Sequence, residues 1–201
     1  MAKAWKWLYD HEKAVLSFLV VALFGIVYFG AAALPPWTPR DVLPWDPVWS
    51  VPYVPAFILP YVSVFPMPLA AIAVISDRGA FRRTCAAFSA AILASGVAFL
   101  VVPLAPPHPP DAGTGVFGLL TNAIYRLDVP TNLFPSLHVS IAFLTAFAVG
   151  RERPRRLPWM LAWAALIAAS TLFVRQHYAI DVAGGIFLAL LCRPLLSRPV
   201  R

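Results

Sequence analysis

Charged residues are scarce in this chain. Only 12% of its 201 residues are Asp, Glu, Lys or Arg, whereas 60% are hydrophobic and the mean hydropathy is +0.75. Soluble globular domains carry about twice this share of charge. The composition therefore excludes an ordinary soluble domain and predicts an integral membrane protein embedded in the lipid bilayer.

Cysteine and lysine are also rare. Cys85 and Cys192 have no neighbouring Cys or His in the sequence, so they offer no metal site. We expect both on the cytoplasmic side, where disulfides are uncommon. The three lysines all lie within the first 13 residues, so a phosphate site farther along the chain has no lysine to use.

Apolar runs between charge clusters predict the membrane spans. A span needs about 20 residues, and the candidate runs are 14–34, 51–76, 84–104, 132–150, 157–175 and 178–196. The second run contains five prolines, namely Pro52, Pro55, Pro60, Pro66 and Pro68. A straight helix cannot hold them all, so we expect a re-entrant or broken helix there.

The fold prediction is all-α. Residues 1–201 form a single domain, a polytopic membrane bundle of six transmembrane helices with no separate soluble domain. Residues 1–13 are either an interfacial helix, with its tryptophans toward lipid, or a solvated start to the first span. Residues 105–135 form a loop that leads into the fourth span.

The basic residues sort between the two faces of this bundle. Six spans place both termini on one side, and 13 of the 16 basic residues fall there, whereas Arg40, Arg126 and Arg175 lie on the other. The positive-inside rule then predicts cytoplasmic termini and an extracytoplasmic 105–135 loop. The net charge of +7 reflects this topology and attraction to anionic lipid, so no nucleic-acid partner is predicted.

Two histidines stand in apolar surroundings. His138 falls in the outer part of the fourth span, and His177 opens the sixth. Ionisable residues inside a membrane are costly and are functional candidates by default. Each histidine alone could be an interhelical hydrogen-bonding group, and Arg175 alone could be a head-group anchor. The topology places all three at one membrane depth, which favours a shared phosphate-handling site.

The residue types suggest a division of roles. His177 and Asp181 are four residues apart, so one helix face brings them into contact and the carboxylate orients the imidazole. The other ring nitrogen then serves as a nucleophile toward phosphorus. His138 serves as general acid and later as general base. Candidates to donate hydrogen bonds to the phosphate oxygens are Arg175, Ser136 and the amides at the start of the fourth helix.

These residues also carry a family resemblance. PSLH at 135–138 and H-x-x-x-D from His177 to Asp181 resemble the type 2 phosphatidic acid phosphatase superfamily. FPSLHVS, RQHYAID and the proline-rich stretch 46–66 are most similar to the branch that contains inositol phosphorylceramide synthases and their bacterial relatives. The resemblance implies a six-helix core and a reaction through phosphohistidine at His177, with neither metal nor other cofactor. It also implies that His138 is the acid and Asp181 the orienting carboxylate.

Two features depart from the family's pattern. Lipid phosphatases of the superfamily carry a lysine-to-arginine-proline motif before PSxH and an arginine six residues before the nucleophile. Here the 103–135 loop has no lysine and position 171 is threonine, which leaves Arg175 as the nearest cation. His108 stands where related sequences often carry arginine, and it is either a phosphate ligand or a solvated loop residue. Arg126 either contacts the head group or anchors the loop.

The sequence supports one leading hypothesis and two alternatives. The leading hypothesis is a metal-independent lipid phosphatase or phosphotransferase of the cell membrane, which cleaves a lipid phosphoester on the extracytoplasmic side and passes the phosphoryl group to water. The first alternative is a transferase that moves a phospho-head-group to an alcohol, with a histidine acting either as carrier or as base toward the alcohol. The second is a non-catalytic scaffold or transporter. The identity of the lipid and the oligomeric state stay open.

Overall fold

The chain folds into helices joined by short turns. A computed structural model describes residues 11–34, 42–109, 111–129 and 131–197, and these ranges contain no β-strand. The α-helices are α1 (Glu12–Ala33), α2 (Ile58–Val62), α3 (Met67–Val74), α4 (Arg78–Val101), α5 (Val116–Leu127), α6 (Leu137–Glu152), α7 (Leu157–Phe173) and α8 (Ala179–Cys192). Short 3-10 helices cover Pro47–Ser50, Pro55–Phe57, Pro154–Arg156 and Arg193–Leu196. The all-α prediction is confirmed.

The helices support a multi-pass membrane protein. In the described part of the chain, the stretches long and apolar enough to cross a bilayer are Glu12–Ala33, Pro55–Val74, Arg78–Val101, Pro154–Phe173 and Ala179–Leu196. These five correspond to five of the six predicted spans. The fourth predicted span instead contains α6, which at 16 residues is shorter than the about 20 residues of a typical span.

The helix α6 starts later than predicted because of its N-terminal sequence. The prediction began at residue 132, whereas the helix begins at Leu137. Pro135 has no N–H and disfavours helical geometry in the residue before it. Ser136 then caps the helix, since its hydroxyl accepts a hydrogen bond from the Val139 amide at 3.4 Å. The segment before the helix is therefore free to adopt the irregular backbone that the site uses.

The helix α6 lies at the centre of the bundle, in contact with α3, α4, α7 and α8. Ala142, Ala146 and Gly150 recur every fourth residue along it, and all three are buried. Small residues at this spacing let helices approach closely, and close packing is the main attraction between helices in lipid. A Cβ at Gly150 would lie 2.5 Å from the Leu157 side chain, so the turn into α7 depends on that glycine.

Close packing also joins α8 to the segment before α6. A Cβ at Gly184 would lie 2.6 Å from the Phe134 ring, and one at Gly185 would lie 2.6 Å from the Ser136 carbonyl oxygen. Both distances are far below van der Waals contact. The glycines therefore allow the start of α8 and the start of α6 to touch.

The substitution Gly185→Ala should destabilise the bundle. The new methyl group would meet a backbone carbonyl that cannot rotate away, and overpacking of this kind costs about 1–3 kcal/mol. Gly25→Ala is the matched control, because no heavy atom lies within 4 Å of a Cβ at Gly25 in α1. Thermal unfolding in detergent should show a lower Tm for Gly185→Ala alone. Equal melting of the two variants would contradict this account of the packing.

The second predicted span is broken, as its prolines predicted. The 3-10 helix Pro55–Phe57 leads into α2, a turn follows, and α3 begins at Met67. Pro55 and Pro68 occupy first-turn positions of their helices, where the missing N–H has no intrahelical partner to lose. The helix is interrupted by turn residues 63–66, between α2 and α3.

The two ends of the bundle differ in chemistry. Glu12 at the start of α1 pairs with Arg78 at the start of α4 at 3.5 Å. The Arg83 guanidinium donates to the Leu196 carbonyl at 3.3 Å. The described beginning and end of the chain therefore meet at one basic end of the bundle. The two histidines lie at the other end, in the first turn of α6 and just before α8.

The predicted 105–135 loop is partly helical. The 105–135 loop contains the helix α5, which the span search missed because its 12 residues are too few to cross a bilayer. Val116, Leu119 and Leu127 on α5 are exposed.

Of the predicted interfacial segment 1–13, residues 1–10 lie outside the described residues, and α1 already begins at Glu12.

Candidate active site

A histidine and an aspartate form the centre of the site. His177 lies in the turn between α7 and α8, two residues before α8 begins at Ala179. Its Nδ1 is 3.2 Å from Oδ2 of Asp181, which is completely buried in the first turn of α8. The same oxygen accepts a hydrogen bond from the Tyr178 amide at 2.9 Å. The predicted contact is present, although the chain turn rather than a continuous helix face brings the two side chains together.

The second histidine faces the first. The ring centroids of His138 and His177 are 6.0 Å apart, with the ring planes inclined at 60°. Tyr61 stacks on His138 at 4.6 Å between centroids and fixes the plane of its ring. The Tyr61 hydroxyl donates to Asp128 at 3.2 Å, and the Tyr28 hydroxyl donates to the same carboxylate. A chain of aromatic and carboxylate contacts thus orients His138 toward His177.

Buried polar atoms without partners concentrate at this place. In the described part of the chain, six buried side-chain nitrogen or oxygen atoms have no hydrogen-bond partner. Four of them belong to the site: His138 Nε2, Arg175 Nε, Gln176 Nε2 and Asp181 Oδ1. Buried polar atoms in proteins are nearly always hydrogen-bonded. Their clustering therefore indicates a site for a polar ligand.

A narrow polar cleft opens on His177. It is lined by Pro106, His108, Tyr125, Asp128, Val129, Asn132, Leu133, Gln176 and His177. The His108 ring stacks on Tyr125 at 4.1 Å between centroids. The structure thus brings His108 and His177 to one cleft. Among the described residues that line it, none is Lys or Arg, and Asp128 contributes a carboxylate.

A wider cleft of about 400 Å³ adjoins the first and shares His108 and Tyr125 with it. Arg126, Asp111 and Asn122 complete its lining. Hydrogen bonds from the Asn122 amide and the Gly113 N–H hold the pKa of the Asp111 carboxyl below its usual range. Arg126 therefore lies in this neighbouring cleft rather than beside the two imidazoles.

Tyr125 forms the wall between the two clefts. Its hydroxyl donates to the Val174 carbonyl at 2.6 Å, in the turn that precedes His177. Burial raises the pKa of the Tyr125 phenol above its ordinary value. The phenol therefore stays protonated at neutral pH and keeps this hydrogen bond, which ties α5 to the turn.

Arg175 has an unusual backbone and specific contacts. Its φ of +50° lies in the left-handed region, which non-glycine residues rarely adopt. Nη2 donates to the Val51 carbonyl at 3.1 Å, and the guanidinium lies over the Trp49 ring at 5.8 Å. Arg175 does not line the narrow cleft, but its Nε is buried and unpartnered.

Ser136 connects the two helices that carry the site. It is buried, its amide donates to the Asp181 carbonyl at 3.0 Å, and its hydroxyl oxygen caps α6. The Ser136 amide, one of the predicted donors, is therefore already engaged within the protein. Only the hydroxyl hydrogen of Ser136 remains for a ligand.

Three polar residues in the cleft were not predicted from the sequence. Gln176 is 5% exposed and directly precedes His177, while Asp128 and Asn132 precede the PSLH motif. The rule that marks ionisable residues in apolar surroundings also applies to neutral polar residues. Applied to Gln176, it would have found a second polar group beside the nucleophile candidate.

Comparison with protein-family models identifies the chain. The model for the PAP2 superfamily matches residues 47–195, a range that includes both histidines and Asp181. The chain belongs to the PAP2 superfamily. The superfamily resemblance seen in PSLH and H-x-x-x-D is thereby confirmed. Comparison with curated proteins gives no match.

Membership places the protein in an enzyme class. Members of the superfamily are generally phosphatases, so the family and the apolar helices together indicate a membrane phosphatase or phosphotransferase. Within the described ranges, no group of three or more His, Cys, Asp or Glu side chains could hold a metal ion.

Proposed function

We propose that this protein cleaves a lipid phosphoester through a phosphohistidine at His177, on the extracytoplasmic side of the membrane and without a metal ion. The observation that carries the proposal is the pairing of two imidazoles 6.0 Å apart, one of them fixed by a buried carboxylate. A nucleophile oriented by a third group and a facing acid are the parts that covalent phosphoryl transfer requires.

The first step forms the phosphoenzyme. Asp181 engages Nδ1 of His177, which leaves Nε2 as the ring nitrogen for the cleft. The Nε2 lone pair attacks phosphorus, and an N–P bond forms as the bond to the lipid oxygen breaks. His138 gives its proton to that leaving oxygen. Asp181 stabilises the positive charge that develops on the imidazole of His177.

The second step returns the enzyme to its starting state. Water attacks the phosphorus of the phosphohistidine, and His138 takes the proton that the water loses. The N–P bond breaks, which releases phosphate and the free imidazole of His177. With a phosphodiester lipid, the adduct on His177 would keep the head group when the lipid oxygen leaves, and an alcohol in place of water would then take up that phospho-head-group.

The phosphoryl oxygens need hydrogen-bond donors, and the buried unpartnered atoms of the site are candidates for this role. Arg175 Nε and Gln176 Nε2 are buried without partners on the two residues that precede His177. The Ser136 hydroxyl is a third candidate donor, and His108 lines the cleft together with His177. We assign Arg126, which lines the wider cleft, to the head group beyond the phosphate. Hydrogen bonds to an ionised acceptor are roughly twice as strong as neutral ones.

Gln176 is therefore expected to contribute to substrate binding and turnover. Gln176→Leu keeps the side-chain size and removes the donor, which should lower kcat/KM about 10- to 100-fold, the effect of losing a hydrogen bond to a charged group. Gln176→Glu places a carboxylate beside the phosphate and should lower it further. Lipid phosphoester turnover under matched conditions measures both. A Glu variant more active than the Leu variant would contradict this role.

The proposed orientation of the protein in the membrane relies on the distribution of its basic residues. Arginines gather at the end of the bundle that holds both described chain ends, and the histidines lie at the opposite end. Cytoplasmic loops carry the excess of Lys and Arg in membrane proteins. Exposed apolar residues on α5, beside the clefts, suit a helix that rests on the outer membrane surface.

One observation favours head-group transfer as a second candidate. The part of the narrow cleft that the described residues form has a carboxylate from Asp128 and neither Lys nor Arg. A phosphomonoester is close to doubly charged at neutral pH, whereas a phosphodiester carries a single charge. The charge of the cleft therefore favours a phosphodiester lipid whose head group passes to an alcohol, as in the inositol phosphorylceramide synthase branch.

Product analysis separates the two candidates. Purified protein in mixed micelles would receive phosphatidate or phosphatidylinositol, each with and without a lipid alcohol. Free phosphate from phosphatidate supports the phosphatase. Transfer of the phospho-head-group to the alcohol supports the transferase. Full activity of a His177→Ala variant would rule out a phosphohistidine at this residue in both candidates. If the protein acts on neither phosphoester, a scaffold or transporter is left as the function.

A further inference from the structure

The proline-rich segment before the second span contacts the turn that carries His177. We infer that Asp46 is a positioning residue, which holds the first turn of α8 and thereby fixes His177 and Asp181. Residues 46–54 are called the Asp46 clamp below. The inference rests on the proposed function of His177 and adds a residue that does not itself touch the reacting atoms.

Asp46 caps a helix that is distant in sequence. Its Oδ1 accepts hydrogen bonds from the amides of Ala179 and Val48, both at 2.9 Å, and its Oδ2 accepts one from the Ile180 amide at 3.2 Å. Asp46 is only 3% exposed. The first amides of a helix have no intrahelical partners, and a cap normally comes from the residue just before the helix. Here a carboxylate 133 residues away from Ala179 supplies it.

The charge of Asp46 suits this position. A helix N-terminus carries a partial positive charge, so a carboxylate there is stabilising. Asp181, in the same first turn of α8, supplies the oxygen that holds His177 Nδ1. If the first turn of α8 frayed, Asp181 would move away from the imidazole. The cap therefore supports the geometry of the nucleophile directly.

The clamp also holds the chain on the other side of His177. The Val54 amide donates to the Phe173 carbonyl at 2.9 Å, at the end of α7. The Val51 carbonyl accepts from Arg175, and the Trp49 ring lies beneath the same guanidinium. The contacts of residues 46–54 thus bracket His177 from Phe173 to Ile180.

The backbone of Arg175 indicates why external support is needed. A left-handed conformation in a non-glycine residue costs of order 1–3 kcal/mol and persists when its surroundings over-determine it. Arg175 has φ +50°, and its side chain is fixed by the clamp. The turn that presents His177 is therefore held in a conformation that its own sequence does not favour.

Asp46→Asn tests the inference, with Asp77→Asn as the matched control. An asparagine keeps one acceptor oxygen and turns an N–H₂ group toward an amide N–H, so only part of the cap survives. Asp77 also caps a long apolar helix, by accepting from the Ala80 amide at 2.6 Å, but it lies at the basic end of the bundle. Trp49→Leu is a second variant, which leaves the cap intact and removes the contact with Arg175.

Two readouts are measured on folded, detergent-purified protein. Hydrogen–deuterium exchange of the peptide that covers 174–182 should be about tenfold faster in Asp46→Asn and unchanged in Asp77→Asn. Turnover of phosphatidate and phosphatidylinositol should fall about 100-fold in kcat for Asp46→Asn, with KM changed far less, because misplacement of a catalytic group acts on the chemical step. Trp49→Leu should show a smaller loss of the same kind.

The outcomes separate this inference from the function on which it rests. Unchanged exchange at 174–182 in Asp46→Asn overturns it, as does unchanged kcat while His177→Ala is inactive. Parallel losses of kcat in Asp46→Asn and Asp77→Asn also overturn it, since they indicate general destabilisation. If His177→Ala keeps full turnover, the proposed function fails, and the exchange data still decide whether Asp46 holds the turn.

Discussion

Replacing His177 with glutamine should abolish turnover of the lipid phosphoester. The substitution removes the nitrogen that forms the bond to phosphorus, and loss of a nucleophile that acts together with a fixed partner lowers kcat by about 10⁴-fold or more. The buried position between α7 and α8 should keep its packing, because glutamine is similar in length. Release of phosphate or transfer of the head group, measured per mole of folded protein, checks the prediction.

His11→Gln is the control for this variant. His11 precedes α1, at the basic end of the bundle, and is remote from both clefts in the fold. The control should retain the activity of the unaltered protein, and both variants should elute as folded protein in detergent. Residual activity of His177→Gln within a factor of about ten of the unaltered protein would contradict covalent catalysis through this residue.

The second large effect is expected at His138. A positioned general acid contributes about 10²- to 10⁴-fold, so His138→Gln should lower kcat by that factor. The loss in kcat/KM, which reports formation of the phosphoenzyme, should be smaller for an aryl phosphate, since a phenolate of low basicity leaves without a proton. Hydrolysis of the phosphoenzyme still needs His138 as a base, so phosphohistidine should accumulate in this variant when the aryl phosphate is the substrate. Rapid acid-free quenching with radiolabelled phosphoester detects it.

The leaving-group comparison distinguishes an acid from a structural residue. Tyr61 stacks on His138, so a purely structural role would lower the rate of every substrate by a similar factor. Equal losses for lipid and aryl phosphates, with no trapped phosphoenzyme, would contradict the acid role. Accumulated label that maps to His177 would support both histidine assignments at once.

The sequence predicts the membrane class well, and it singles out two histidines whose rings lie 6.0 Å apart in the fold. Hydropathy alone marks most spans, because a bilayer requires long apolar helices. His138 and His177 stand out because ionisable groups are rare in such helices. The contact between His177 and Asp181 follows from their spacing, and it is present at 3.2 Å although α8 begins only at Ala179.

Other features depend on tertiary contacts that a linear pattern does not contain. Asp46 looks like a residue at a membrane boundary, yet it caps a helix 133 residues farther along the chain. Asp128 acts through Tyr61 on His138, and this chain of contacts exists only after α2, α5 and α6 have packed. The helix α5 was missed because a search for membrane spans passes over a short amphipathic helix. Arg175 is predicted as a phosphate ligand from its type, but its additional contacts with Val51 and Trp49 cannot be read from the sequence.

A structure of the protein with orthovanadate bound would test the central claim most directly. Vanadate adopts the five-coordinate geometry of phosphorus in transfer. The account predicts a bond from vanadium to Nε2 of His177 and a vanadate oxygen within about 3.2 Å of a ring nitrogen of His138. Vanadate bound away from His177, or imidazoles separated by packed side chains in that complex, would contradict a shared site for the two histidines.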